Sequence, residues 1–314
     1  MKIISRIDTH QHILPPFYTA WLRSHGIVDA GGRLLPEWSA DSALSLMSDA
    51  NISTSIVSIS TPGVHLGDDG QARDMARQAN EFMADLVRRH PQQFGFFAVL
   101  PLPDLDGAIA EARYALDVLK ADGVMLLANV RGTYLGDPQW DPLMAELDQR
   151  QTVAFVHPSE LPGPEVPGIP AFAADFLLDT TRAAIQMAKN GVLERCPSLK
   201  IVLSHAGGFL PYAAERVARV CSPDGSNAGG IARLRRFWFD TALSSSPYAL
   251  PALLAFANPH QITYGSDWPF APKERSLHFA SLLDQHPLTD EQRESIHRTN
   301  ALTLIPRINR LRSP

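Results

Sequence analysis

Eight short runs rich in Val, Ile, Phe and Tyr alternate with stretches of helical spacing, and no other feature of the chain constrains its fold as strongly. The runs are IISRIDTH (3–10), TSIVSIS (54–60), FGFFAVLPL (94–102), GVMLLAN (123–129), TVAFVHP (152–158), KIVLSHA (200–206), RFWFDTA (236–242) and QITYGSD (261–267). They are mostly apolar, the pattern of strands covered on both faces. Between them, segments such as QARDMARQANEFMADLVRRH and DLDGAIAEARYALDVLKADG repeat apolar residues at three- and four-residue spacing, and breakers such as His90-Pro91 and Asn258-Pro259 separate the units. Thr289 with Gln292 three residues on is a capping box that opens a closing helix through SIHRTNALTLI.

Strict strand–helix alternation implies parallel strands joined by right-handed crossovers. Eight units favour an α/β fold closed as a (β/α)8 TIM barrel, with an open doubly wound sheet as the alternative. Residues 1–314 read as a single domain, a length compatible with barrels of about 250 residues plus insertions. Two connections are long: 13–40 after the first strand, and the Pro/Gly-rich PSELPGPEVPGIPA (158–171) after the fifth. In a barrel both would overhang the strand ends.

The polar residues are placed where that fold does chemistry. Side chains at the C-terminal ends of barrel strands converge on one mouth. His10 and His12 end the first run, with alternate side chains pointing the same way; His157 ends the fifth, His205 the sixth and Asp267 the eighth. Imidazole and carboxylate suit a borderline divalent cation such as Zn²⁺, and a histidine is also the usual proton carrier near neutral pH. A lone His-x-His is a weak signal, since two close histidines often sit satisfied in a core; the convergence of five groups is the stronger one. The remaining histidines (His25, His65, His90, His260, His278, His286 and His297) fall in loops or helices and read as structural. The fourth run ends in Asn129, where two-metal barrels of this type often carry a bridging lysine, so a single ion is expected.

DTHQHILPP, AFVHPSE, IVLSHAGGFLPY and YGSDWPF resemble signatures of the amidohydrolase superfamily, and more narrowly its aminocarboxymuconate-semialdehyde decarboxylase-like branch. The resemblance spans essentially the whole chain. It implies that His10, His12, His157 and Asp267 hold one divalent metal ion and that His205 is the catalytic acid/base; imidazoles outnumbering carboxylates in that set lean towards Zn²⁺ over Mn²⁺. It also implies that Arg216, eleven residues after His205, reaches a neighbouring subunit's site to bind the substrate carboxylate, which would make the active enzyme a homodimer or higher homo-oligomer. The bland alternative is a solvated helix charge paired with Glu215 or Asp224. Arg131 is a second carboxylate-binding candidate, and Phe209 and Trp268 are candidate aromatic walls among a set that includes Phe17, Trp38, Tyr134 and Phe270. Asp240 and Thr241 are candidates to orient a ligand histidine.

The expected function is metal-dependent, non-oxidative decarboxylation of a hydroxyaryl or unsaturated carboxylic acid, 6-methylsalicylate-like or aminocarboxymuconate-like. Hydrolysis of a lactone or amide by metal-bound hydroxide is the alternative, because the same ligand set serves both. Net charge is −5, from 28 basic and 33 acidic side chains without a dense basic cluster, which argues against nucleic acid or an anionic membrane surface as partner and leaves a small carboxylic acid. The start, MKIISRIDTHQH, reads as a strand and not as a signal peptide, and no apolar stretch reaches the ~20 residues of a bilayer span. Cys196 and Cys221 are too few for a disulfide framework; a cytoplasmic enzyme is expected.

Overall fold

A computed structural model describes residues 4–164 and 166–310. Eight parallel strands pair in chain order: β1 (Arg6–His12), β2 (Ile52–Ser58), β3 (Phe94–Val99), β4 (Gly123–Leu127), β5 (Val153–His157), β6 (Lys200–Leu203), β7 (Trp238–Asp240) and β8 (Ile262–Thr263). Parallel bridges from Asp8 to Tyr264 and from Gln11 to Trp268 bring the first strand back to the last. The Thr9 N–H donates to the Tyr264 carbonyl (2.9 Å) and the His12 N–H to that of Trp268 (2.7 Å) across the same seam. The result is a nearly closed TIM-type barrel wrapped by helices. The first strand was expected from Ile3, which lies outside the described residues.

Most of the strands are apolar because they have no face towards water; β1, RIDTHQH, is the polar exception and carries two of the site's histidines. Phe94, Phe96, Phe97, Phe155 and Phe239 are all fully buried or nearly so, and Phe97 stacks on Phe155 with ring centroids 5.5 Å apart. The covering helices turn one stripe inwards. In Asp69–Arg89 the buried positions Ala72, Ala76, Ala79, Met83 and Leu86 follow the three- and four-residue spacing, and Asp68 caps the helix by accepting from the Gln71 N–H at 2.8 Å. Thr289 and Gln292 form the expected capping box. The closing helix differs from expectation in its middle, where Ser295–Thr299 widens into a π turn. Asn300 just beyond it donates to the carbonyls of Pro259 and Ile262 (2.8 Å each), fastening the helix beneath β8. No helix among the described residues is long and apolar enough to cross a membrane.

Seven of the eight strands stop before the ends of the runs that marked them, and three of these ends bear on the site. β6 stops at Leu203, β7 at Asp240 and β8 at Thr263. His205 and Asp267 therefore sit just past their strands, both with left-handed backbone (φ 52° and 59°). That conformation breaks the alternation of an extended strand and lets both side chains turn into the mouth. Their amides remain satisfied: the Asp267 N–H donates to the His10 carbonyl (2.8 Å), and the His205 N–H to Asp240 Oδ1 (2.9 Å).

The two long connections fold over the mouth and lock together. Residues 13–40 contain the helix Pro16–Ser24 and a small hairpin pairing Asp29–Ala30 with Arg33–Leu34. At its tip Gly31 (φ 60°) lies so close to Phe176 that a Cβ there would come within 2.2 Å of the ring. The Gly31 N–H donates to Glu160 Oε1 (2.9 Å) and its carbonyl accepts from the Phe172 N–H (3.1 Å), so the second connection is stitched to the first.

Candidate metal centre and active site

His10, His12, His157 and Asp267 are buried together, with one ligand atom from each lying within 4.8 Å of all the others. His10 Nε2 and His12 Nε2 are 3.0 Å apart, and Asp267 Oδ1 lies 3.1 Å from the first and 3.0 Å from the second. Atoms that share one small cation at about 2.1 Å sit at such spacings. Each histidine is aimed by its other nitrogen. His10 Nδ1 meets Asp240 Oδ2 at 2.7 Å, and His157 Nδ1 meets the Pro158 carbonyl at 2.8 Å. Those oxygens can only accept, so Nδ1 carries the hydrogen and Nε2 keeps its lone pair for the centre. His12 Nδ1 lies at the limit of reach of Ser58 Oγ, 3.5 Å. Gly265 makes the packing possible: a Cβ there would sit 2.8 Å from that of His10.

The electrostatics favour a cation. Burial pushes His12 down and His157 well down, so both are neutral donors. Burial would also lower His10, but Asp240 and Asp267 outweigh it and lift that group to about 10. A proton on His10 thus occupies the place where these two carboxylates call for positive charge. Burial opposes ionisation of Asp267, yet hydrogen bonds from His10, His12 and His205 hold its carboxyl well below the usual range. Beneath them, burial raises Asp8 to about 7. Three imidazoles and one carboxylate match a divalent, borderline ion in number, charge and softness, so the residues present fit the metal that the sequence implied. Among the described residues this is the one such group.

The strand-four position is occupied otherwise. Asn129 Nδ2 donates to Asp179 Oδ1 (2.8 Å) and to the Glu160 carbonyl (3.0 Å), and the Ser159 N–H also reaches Asp179 (3.0 Å). Asn129 is part of the wall that shapes the β4 and β5 loops.

Asp267, His157 and His205 line a cavity of about 610 Å³, within the range of small-molecule sites. His10 and His12 are fully buried behind them, so the cluster opens on one side. His205 Nε2 lies 3.6 Å from Asp267 Oδ2, and its Nδ1 is buried with no hydrogen-bond partner among the described residues. Phe172, Phe176, Phe209, Phe270 and Phe279 supply aromatic walls.

The other expected residues divide. Phe209 lines the cavity as expected, but Trp268 does not: it is 6% exposed and packed into the core beside β1. Arg131 lines a separate cavity, where its Nη2 donates to His65 Nδ1 at 3.0 Å. Phe17 and Trp38 pack on Phe82, away from the cavity, and Tyr134 meets Arg182. Asp240 orients His10, while Thr241 Oγ1 has no hydrogen-bond partner among the described residues. Arg216 is exposed on the helix Leu210–Val217 outside the cavity lining, and among the described residues it makes no ion pair; Glu215 bonds Asn227 and Asp224 bonds Ser226. Sequence reasoning missed Arg33 and Arg275, which line the cavity and lie over Phe172 (4.5 Å) and Phe279 (4.8 Å). Both come from segments without strand-end periodicity; the one available signal was the overhang of the long first connection.

The amidohydrolase family model matches residues 7–307. The chain belongs to the amidohydrolase family. A 6-methylsalicylic acid decarboxylase of Penicillium expansum is 34% identical to this amidohydrolase over 97% of both chains. A crystal structure of an amidohydrolase II superposes with a TM-score of 0.92 at 33% identity, covering 96% of this chain and all of that one. A dihydroxybenzoic acid decarboxylase from Polaromonas, with bound manganese and the inhibitor 2-nitroresorcinol, shares the fold: its TM-score is 0.78 at 22% identity, over 99% of this chain and 98% of that one. This member of the amidohydrolase superfamily is a metal-dependent, non-oxidative decarboxylase, a carboxy-lyase.

Proposed function

We propose that the enzyme removes CO₂ from a monocyclic hydroxyaryl acid of the 6-methylsalicylate kind, with His10, His12, His157 and Asp267 holding one divalent ion and His205 managing the proton. The observation that carries this reading is His205, beside the four-ligand cluster on the wall of an aromatic-lined cavity. The imidazole-rich donor set supports zinc; the manganese of the Polaromonas enzyme makes Mn²⁺ the alternative.

Phe209, Phe270 and their neighbours clamp the ring and keep water from it. A divalent ion in the cluster supplies Lewis-acid stabilisation of negative charge on the substrate's oxygens. His205 delivers a proton to the ring carbon that bears the carboxylate. The bond from that carbon to CO₂ then breaks, its electron pair returns to the ring, and CO₂ leaves. Asp240 holds the His10 ring through Oδ2 and the His205 backbone through Oδ1, so one carboxylate keeps ligand and acid in register.

Arg216 is proposed to complete the site of a neighbouring subunit in a homodimer or larger homo-oligomer. Its exposed guanidinium, without an ion pair among the described residues, and the exposed aromatic rings of Tyr212 and Tyr248 at the cavity rim support that reading. The free thiols Cys196 and Cys221 support a reducing, cytoplasmic setting. The test is CO₂ release from a panel of hydroxybenzoates, scored beside opening of aryl lactones by the same preparation. Turnover confined to 2-hydroxybenzoates is expected; lactone opening without CO₂ release would reverse the assignment.

A further inference from the structure

Arg131 belongs to a second, smaller cavity, of about 390 Å³, at the ends of β2 to β5. One wall is apolar, built from Val99, Leu100, Met125 and Leu127; Arg131 and His65 stand at a polar end, with Thr61, Asn129, Ser159 and Glu160 also in the lining. We infer that this cavity is a second ligand site, one that takes a small aromatic or apolar monocarboxylic acid, carboxylate on Arg131 and hydrocarbon body on the β3–β4 wall.

The polar end is organised. His65 has a side chain only 5% exposed; its Nε2 meets Asp69 Oδ1 at 2.7 Å, and its Nδ1 faces Arg131 Nη2 at 3.0 Å and the Gly67 N–H at 3.3 Å. A guanidinium and a backbone amide can only donate, so Nδ1 is an acceptor and Nε2–H donates to Asp69. His65 is therefore neutral, and it spends one N–H of Arg131 on fixing the orientation of the planar fork. The other guanidinium N–H groups have no partner among the described residues, the state of an arginine ready to take a carboxylate in two parallel hydrogen bonds. Glu160, also on the wall, does not compete: its Oε1 accepts from Gly31 and its Oε2 from Thr61 Oγ1 (3.1 Å). Arg131 is held at φ 51°, a left-handed conformation uncommon for a long side chain. Strain of this kind persists where the surroundings fix it, and here the Asn129–Val130/Thr133–Tyr134 hairpin does so. Thr61 lines both cavities, so the second site abuts the first.

The probe is 4-fluorobenzoate, an acid without the ring hydroxyl, titrated into metal-loaded enzyme and followed by fluorine NMR and equilibrium dialysis. Wild type should bind a second equivalent per chain with its own resonance. Arg131→Asn, which tolerates the left-handed backbone, should weaken that equivalent by about 10–100-fold and leave the other unchanged. Leu127→Trp, which fills the cavity, should remove the same resonance. Absence in wild type of any bound equivalent that responds to these two substitutions would overturn the inference. The readout is binding, so it fails or succeeds independently of the decarboxylase reading.

Discussion

Replacing Asp240 by Asn tests how the metal centre is assembled. Asp240 Oδ2 and His10 Nδ1 are 2.7 Å apart and both side chains are fully buried, so the bond is charge-assisted and unscreened. Bonds of this kind contribute about 1.5–3 kcal/mol. Asn has the same shape, and its oxygen can still accept from the His205 and Ala242 amides at 2.9 Å, so the turn after β7 should persist. The NH₂ group, however, would face the His10 Nδ1–H, donor against donor. Relief requires His10 to move its hydrogen to Nε2, the atom that should bind the ion. Metal affinity should therefore fall about 10–100-fold, matching the usual cost of losing such a supporting carboxylate. That range equals about 1.4–2.8 kcal/mol, within the cost of the bond itself. Competition with a chromogenic chelator reads it directly, with thermal unfolding of both metal-free proteins as the control for the fold. An Asp240→Asn protein that binds metal within twofold of wild type would refute the reasoning.

His205→Ala should keep the metal, by elemental analysis, while kcat falls about 10²–10⁴-fold; loss of the metal would make His205 a ligand instead. Mixing inactive Arg216→Ala with inactive His205→Ala subunits should restore part of the activity, because some mixed sites would carry both groups; no recovery in exchanged subunits would confine Arg216 to its own surface. Burial raises Asp179 from 3.8 to about 6. Its folded pKa lies above the unfolded value, so its contribution to stability is complete below about 3.8 and is lost as pH rises through about 6, with about 3 kcal/mol as the ceiling. Denaturant titrations between pH 4 and 7 should show that decline in wild type and a flatter profile in Asp179→Asn; parallel profiles would contradict it.

The barrel was legible because its determinants are local and repeated. Buried parallel strands need unbroken apolar runs, and surface helices need a stripe, and both leave periodic marks in QARDMARQANEFMADLVRRH and its counterparts. His10, His12, His157 and Asp267 were legible for a related reason: each stands where such a run ends. The exact strand limits were not, since the left-handed turns at His205 and Asp267 depend on hydrogen bonds to Asp240 and His10, residues far away in sequence. Trp268 shows the limit of reading by neighbourhood. It follows Asp267 directly, yet the bridge to Gln11 carries it into the seam between β8 and β1. Arg131 likewise follows strand four closely, but its hairpin turns it towards His65. Arg33 and Arg275 were hidden because only the folding of the overhang onto Phe172 and Phe176, and the packing of the last barrel helix, bring them to the cavity.

The most direct test of a metal-dependent decarboxylase is release of labelled CO₂ from carboxyl-¹³C 6-methylsalicylate by enzyme stripped of metal and then reloaded with one equivalent of a divalent ion. Stripped enzyme should release none beyond background, and reloading with zinc or manganese should restore turnover in wild type but not in His157→Ala. Equal CO₂ release with and without metal, or none from any hydroxybenzoate once one ion per chain is bound, would contradict the account.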